Sequence, residues 1–388
     1  MSKYDFDTPV DRRGTYAFKW NVGENELPMW VADMDFRAAP EILDALNKRL
    51  DHGVFGYTDV PEEWYDAYIN WWQRRHGLTM ERDWLLFVTG VVPAISSIVR
   101  KLTTPNENVL IQTPVYNIFF NSIVNNGCRV LESPLKYENG AYRMDLEDLD
   151  KKLSDPQTTL MILCNPHNPV GKIWDADTLK TVGALAKKHH VTVISDEIHC
   201  DITRPGTGYT PFASLDDTCR EVSITCVAPT KTFNLAGLQT AAVIVPDPVL
   251  RHKVWRALNT DEIAEPNVFA VTGAIAAFGQ GGDWLDALRE YVFENRAFAE
   301  EFIAGRIPEI SAVRADATYL MWIDLNKLPG DSENFCAFLR EKTGLFVNAG
   351  YSYGESGRHF LRMNLACPRA FCEDGLERLK NGVKEYLK

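Results

Sequence analysis

Between residues 85 and 245 the chain alternates short apolar runs, many of them β-branched, with longer amphipathic stretches. The runs at 85–89, 109–112, 129–132, 160–164, 191–195, 223–227 and 241–245 each have the length of a strand. Between them, 92–102, 145–153 and 175–189 carry apolar residues three or four apart, as Leu179, Val182, Leu185 and Ala186 do, and predict helices. Asp175 stands where an N-cap acceptor is wanted. Alternation of this kind predicts an α/β fold: a mostly parallel, seven-stranded sheet covered by helices on both faces. The run at 241–245 comes after only a short loop and is predicted antiparallel.

Upstream, 40–50 and the aromatic-rich 64–75 read as helices, separated by a glycine–aromatic turn at Phe55-Gly56-Tyr57. After about residue 280 the texture changes. A long helix at 284–303 leads to strands near 312–314 and 319–324, then a helix around Phe335, Phe338 and Leu339. A strand near 360–365 and a terminal helix (Leu376, Leu379, Val383, Leu387) complete an α+β unit. The pattern predicts an N-terminal arm (1–45) packing on the small domain, a large domain (46–282) and a smaller C-terminal domain (283–388). There is no internal repeat and no low-complexity linker.

Composition narrows the function classes. The 388 residues are 45% hydrophobic and 24% charged, ordinary for a globular protein. A net charge of −12 argues against nucleic-acid binding, which wants clustered Lys and Arg. No apolar run approaches the roughly 20 residues that span a bilayer, and the polar start MSKYDFDTPVDRRG has no signal-peptide pattern. Eight cysteines without a Cys-x-x-Cys pair argue against a metal site or disulfide framework, so the expectation is a cytoplasmic protein with free thiols.

The chemistry-bearing residues fall just after the predicted strands, where open α/β sheets bind ligands. Lys231 sits in Ala228-Pro229-Thr230-Lys231-Thr232-Phe233-Asn234, directly after the run at 223–227. A lysine in such a turn suits Schiff-base formation with a carbonyl cofactor, although many lysines close a strand–loop junction for no catalytic reason. Thr89-Gly90-Val91-Val92 opens a helix and offers an anion site, though a plain glycine turn reads the same. Tyr116, in Thr113-Pro114-Val115-Tyr116, could stack on a planar ring or sit as a core tyrosine. Cys164-Asn165-Pro166-His167-Asn168-Pro169-Val170-Gly171 is more specific: two Asn-Pro pairs and a glycine make a rigid turn that aims Asn168 beyond the sheet. Asp196, in Ser195-Asp196-Glu197-Ile198-His199, is a strand-end carboxylate suited to holding a ring nitrogen protonated, while Glu197 alternates to the other face. Arg362 lies inside an apolar strand, with a guanidinium fork that suits a substrate carboxylate.

Tyr116, Asn168, Asp196, Lys231 and Arg362 occur in the order and rough spacing of the fold-type I pyridoxal-phosphate enzymes, the aspartate aminotransferase superfamily, which the chain resembles along nearly its whole length. Within it, Trp30-Val31-Ala32-Asp33-Met34-Asp35-Phe36, Gly56-Tyr57, Ser195-Asp196-Glu197-Ile198-His199 and Gly237-Leu238-Gln239 look like the MalY/PatB branch of cystathionine β-lyase-like C–S lyases. The resemblance implies pyridoxal 5′-phosphate joined to Lys231, with Asp196 at the pyridine nitrogen, Asn168 at the ring oxygen and Tyr116 against the ring. It implies Gly90, Val91 and Val92 on the phosphate, with Thr230 and His199 also at the cofactor, and Arg362, Ala32 and Asp33 toward the substrate. It further implies a homodimer with shared active sites, in which Tyr57 reaches the phosphate held by the other subunit.

Some positions depart from the aminotransferase pattern. His199 replaces a tyrosine three residues after the aspartate, Gln239 replaces a phosphate-binding arginine, and Ala228 replaces a serine. The activity implied is β-elimination from sulfur amino acids such as L-cystathionine or L-cysteine, giving pyruvate, ammonia and a thiol. Two rivals share the same residues: an aminotransferase, and a protein of this fold with an added regulatory, protein-binding role.

Overall fold

A computed structural model describes residues 3–388; residues 1 and 2 of the expected arm lie outside the described residues. All seven large-sheet runs are strands: β1 (Leu85–Val88), β2 (Asn108–Ile111), β3 (Arg129–Glu132), β4 (Thr158–Cys164), β5 (Thr192–Asp196), β6 (Ser223–Val227) and β7 (Ala241–Ile244). They form one sheet in the order β1-β7-β6-β5-β4-β2-β3. The β2–β3, β2–β4, β4–β5 and β5–β6 pairs are parallel. β7 runs antiparallel to both β1 and β6, as its short connection predicts.

The strands read as continuous apolar runs because both faces are covered. Val109, Ile111, Ile162 and Ile194 pack with Ile95, Ile98 and Val99 of helix Val91–Leu102 on one face. Leu110, Met161, Leu163 and Val193 pack with Leu179 and Val182 of helix Ala176–Lys188 on the other. Burying each such side chain contributes roughly 1.5–3 kcal/mol. Asp175 and Asp145 cap their helices by accepting from Thr178 N–H and Asp148 N–H.

Four helices that the periodicity did not mark, Ile118–Val124, Asp217–Val222, Pro248–Thr260 and Val268–Gln280, complete the cover; the last two are the longest of them. Val268–Gln280 is apolar almost all round, so it shows no amphipathic stripe. It packs against Trp72 and Tyr68 through Phe278.

A second sheet is antiparallel, in the order β8-β9-β11-β10: β8 (Ser311–Ala312), β9 (Leu320–Asp324), β10 (Asn348–Ala349) and β11 (Phe360–Asn364). Helices Gly282–Arg306, Ser332–Thr343 and Arg369–Tyr386 accompany it. The N-terminal segment touches both groups of elements. Leu27–Pro28 pairs with Leu345–Phe346, while Met34 N–H donates to Asn234 Oδ1 in the loop after β6. No helix among the described residues is long and apolar enough to cross a membrane.

Gly171 couples the turn after β4 to the second sheet. Its carbonyl accepts from the N–H groups of Asp316 and Ala317, its φ is +70°, and an added Cβ would lie 2.5 Å from Ala315 Cβ. We expect Gly171→Ala to cost about 2 kcal/mol of stability, read as a lower thermal midpoint; an unchanged midpoint would show that the turn can relax.

Candidate active site

The carboxyl ends of β1, β2, β4, β5 and β6 converge on a cavity of about 200 Å³. Its lining includes Gly90, Val91, Val92, Tyr116, Asn168, Asp196, His199, Thr230, Lys231 and Ala32. Ten of the thirteen residues singled out from the sequence (all but Tyr57, Asp33 and Arg362) therefore meet at one place, together with Thr89, Pro93, Cys164, Ile198, Ala236 and Gln239. The parallel topology explains this, since each strand delivers the residues just beyond it to the same edge.

Lys231 stands on a one-turn helix, Pro229–Thr232, rather than in an open turn. Its Nζ donates to the Ala32 carbonyl at 2.6 Å. Burial lowers its pKa to about 8, helped by the Arg362 charge and opposed by Asp33 and Asp196. Asp196, the last residue of β5, has its carboxyl raised to about 7, chiefly by burial. Its carboxylate accepts from Ile198 N–H at 3.1 Å. Glu197 turns away, as strand alternation predicts, and accepts from Ser195 Oγ and Phe212 N–H.

Asn168 lines the cavity and accepts at Oδ1 from Arg362 Nη1 (3.2 Å), so its amide nitrogen is the donor that this contact leaves over. Arg362 also donates to the Trp30 carbonyl at 2.9 Å and lies 5.0 Å over the Tyr353 ring. Burial raises the Tyr116 hydroxyl to about 12, so it stays protonated at neutral pH. Burial lowers His199 to about 3, with Lys231 and Arg362 acting the same way, so His199 is neutral. The helix Val91–Leu102 opens at Gly90 with no side-chain cap, so its first N–H groups face the cavity free to bind an anion. Lys231 is the one lysine or arginine in the lining among the described residues.

Two predicted residues lie away from this cavity. Asp33 is clamped by Arg12, with Oδ2 2.6 Å from Nη2, and does not line it. Tyr57 is fully exposed, on the stretch between helices Pro40–Asp51 and Glu62–His76. The sequence reading missed Tyr319, Asn234 and Asn364, which hold the backbone around Ala32. A signal existed for two of them: Asn234 is three residues after Lys231, and Asn364 shares a strand face with Arg362.

The fold and the cavity define a class: an α/β protein that presents a half-buried lysine, a buried carboxylate and an uncapped helix N-terminus to one pocket. The chain belongs to the aminotransferase class I and II family, whose model matches residues 19–379. It is 43% identical to cystathionine β-lyase PatB of Bacillus subtilis, over 97% of this chain and 99% of that protein. It is 34% identical to protein MalY of Escherichia coli, over 98% of this chain and 99% of that one. The crystal structure of cystalysin from Treponema denticola, which contains a pyridoxal 5′-phosphate cofactor, superposes with a TM-score of 0.96 at 34% identity, covering 99% of this chain and all of that one.

Removing the Arg362 charge should raise the pH at which Lys231 is half-protonated above about 8. Borohydride trapping of an aldehyde on Arg362→Leu, followed against pH, checks this; an unmoved midpoint would leave burial as the sole cause.

Proposed function

We propose that the protein is a pyridoxal-phosphate-dependent carbon–sulfur lyase that performs β-elimination on sulfur amino acids such as L-cystathionine or L-cysteine. The observation that carries this reading is the pairing of Lys231 and Asp196 across one buried cavity, with the uncapped helix N-terminus at its wall. The residues present fit the cofactor. Asp196 is a buried carboxylate with room for a cationic partner, and Asn168 keeps a free amide donor for a ring oxygen. The helix N-terminus supplies amides for a phosphate, beside the Thr89 and Thr230 side chains and Gln239. Likeness to relatives named as cystathionine β-lyases supports elimination over amino transfer.

When bound, pyridoxal phosphate supplies a carbonyl carbon that captures an amino group and a cationic ring that takes up the electron pair released at Cα. Lys231 would hold the cofactor through its amine, and the same amine, when free, would take the substrate Cα proton as general base. A lysine lowered to about 8 keeps a usable fraction of free amine near neutrality. Asp196 keeps the ring nitrogen protonated, Asn168 donates to the ring oxygen, and Tyr116 packs against the ring. Arg362 binds the substrate carboxylate, and its contact with Asn168 fixes the distance between the carboxylate and ring sites. As the Cβ–S bond breaks, the thiolate takes a proton from Lys231 or Tyr116, and the three-carbon remainder hydrolyses to pyruvate and ammonia. The exposed Tyr57, beside exposed Val54 and Phe55, suits a homodimer in which each copy lends this tyrosine to the other's phosphate site.

The test is incubation of the holoprotein with L-cystathionine and no 2-oxo acid, following pyruvate and free thiol. Repeated turnover is expected. A single turnover that resumes only when a 2-oxo acid is added would make the protein an aminotransferase instead. Lys231→Ala should lower turnover by about 10⁴-fold and abolish the visible cofactor band; retained turnover would sink the assignment. Asp196→Ala should keep covalent attachment at Lys231 but lose most of the turnover, because the ring nitrogen loses its counter-charge.

A further inference from the structure

Residues 30–34 form neither strand nor helix, yet their carbonyls are taken one after another by side chains from the site's own elements. The Trp30 carbonyl accepts from Arg362 and Asn348, each at 2.9 Å. The carbonyls of Val31 and Asp33 both accept from the single amide nitrogen of Asn364, each at 2.6 Å. The Ala32 carbonyl between them accepts from Lys231 at 2.6 Å and from the Tyr319 hydroxyl at 3.0 Å. Asn234 takes Met34 at both its N–H and its carbonyl.

We propose that Asn364 is a positioning residue: by gripping the carbonyls on either side of Ala32, it turns the Ala32 carbonyl onto the Lys231 amine and holds that amine at the mouth of the cofactor cavity. The inference rests on the reading of Lys231 as the residue that captures the cofactor. Asn364 is 1% exposed, and its oxygen also accepts from Ala366 N–H, so it has little freedom to reorient. It lies on β11 two residues after Arg362, on the same strand face. One strand therefore sets both the carboxylate-binding arginine and the strap that holds the lysine.

The strap affects protonation as well as place. The charged groups that act on Lys231 are Arg362 from β11, Asp33 from the strap and Asp196 from β5; His199, Tyr116 and Tyr319 are neutral neighbours. A carbonyl acceptor favours the protonated amine, so losing it moves the half-protonation point down. Removing the competing Tyr319 hydroxyl leaves the carbonyl wholly to Lys231 and moves that point up.

The experiment uses full-length protein stripped of cofactor, mixed with pyridoxal phosphate over a pH range centred on about 8. The adduct is trapped with borohydride and located by mass spectrometry. In Asn364→Ala the midpoint should fall by about one pH unit, the size of one charge-assisted hydrogen bond. Backbone hydrogen exchange at 30–36 should rise about tenfold while that of β5 holds. In Tyr319→Phe, which keeps the ring and its packing, the midpoint should rise. If wild-type protein is not trapped at Lys231, the lysine assignment itself falls. If it is trapped but Asn364→Ala leaves the midpoint in place, Asn364 does not position the amine. Should Asn364→Ala fail to fold, Tyr319→Phe decides alone, and a fixed or lowered midpoint overturns the proposal.

Discussion

An ammonium group deprived of water must find acceptors or give up its proton, and the site is arranged around that requirement at Lys231. Its amine is buried with one close acceptor, the Ala32 carbonyl, and with Arg362 adding a repelling charge. Asp196 and Asp33 offset part of that repulsion. The balance leaves the lysine at about 8, well below its ordinary value, so that a minor fraction is free amine at neutral pH. Packing and charge elsewhere in the site serve to keep this balance in place.

The sheet supplies the rigidity. Five strand ends contribute to one cavity, and residues of both β5 and β6 are buried on both faces, so the Asp196 and Lys231 backbones have little room to shift. The antiparallel β7 lets the chain return after Lys231 through the loop that carries Asn234 and Gln239. Apolar burial thus fixes the positions at which polar groups can meet, and the polar groups then settle protonation.

The cavity wall where helix Val91–Leu102 opens follows the same economy of charge. With Gln239 in the lining and no arginine there, backbone amides at the start of helix Val91–Leu102, together with Thr89 and Thr230, are left to meet an anion. A second cation in so small a cavity would lower Lys231 further, as Arg362 already does. Neutral donors avoid that cost.

The periodicity of apolar residues by itself determined the seven strands and part of their helical cover, and the short connection after Lys231 the antiparallel return, because a two-faced sheet leaves an apolar run at each strand. Turn chemistry after each run likewise marked Gly90, Asn168, Asp196 and Lys231, since a parallel sheet carries the residues just beyond its strands to one edge and several unusual ones there reinforce each other. The apolar helix Val268–Gln280 escaped notice because a helix buried all round has no stripe. The grip of Asn364 on the segment at 30–34 escaped, although the segment itself stood out, because side chains that hold distant carbonyls leave no local period: Asn364 and Val31 are separated by 333 positions. Which segments touch across such a separation, and hence how the Lys231 amine is held and charged, was decided only when the two sheets and the N-terminal segment packed together.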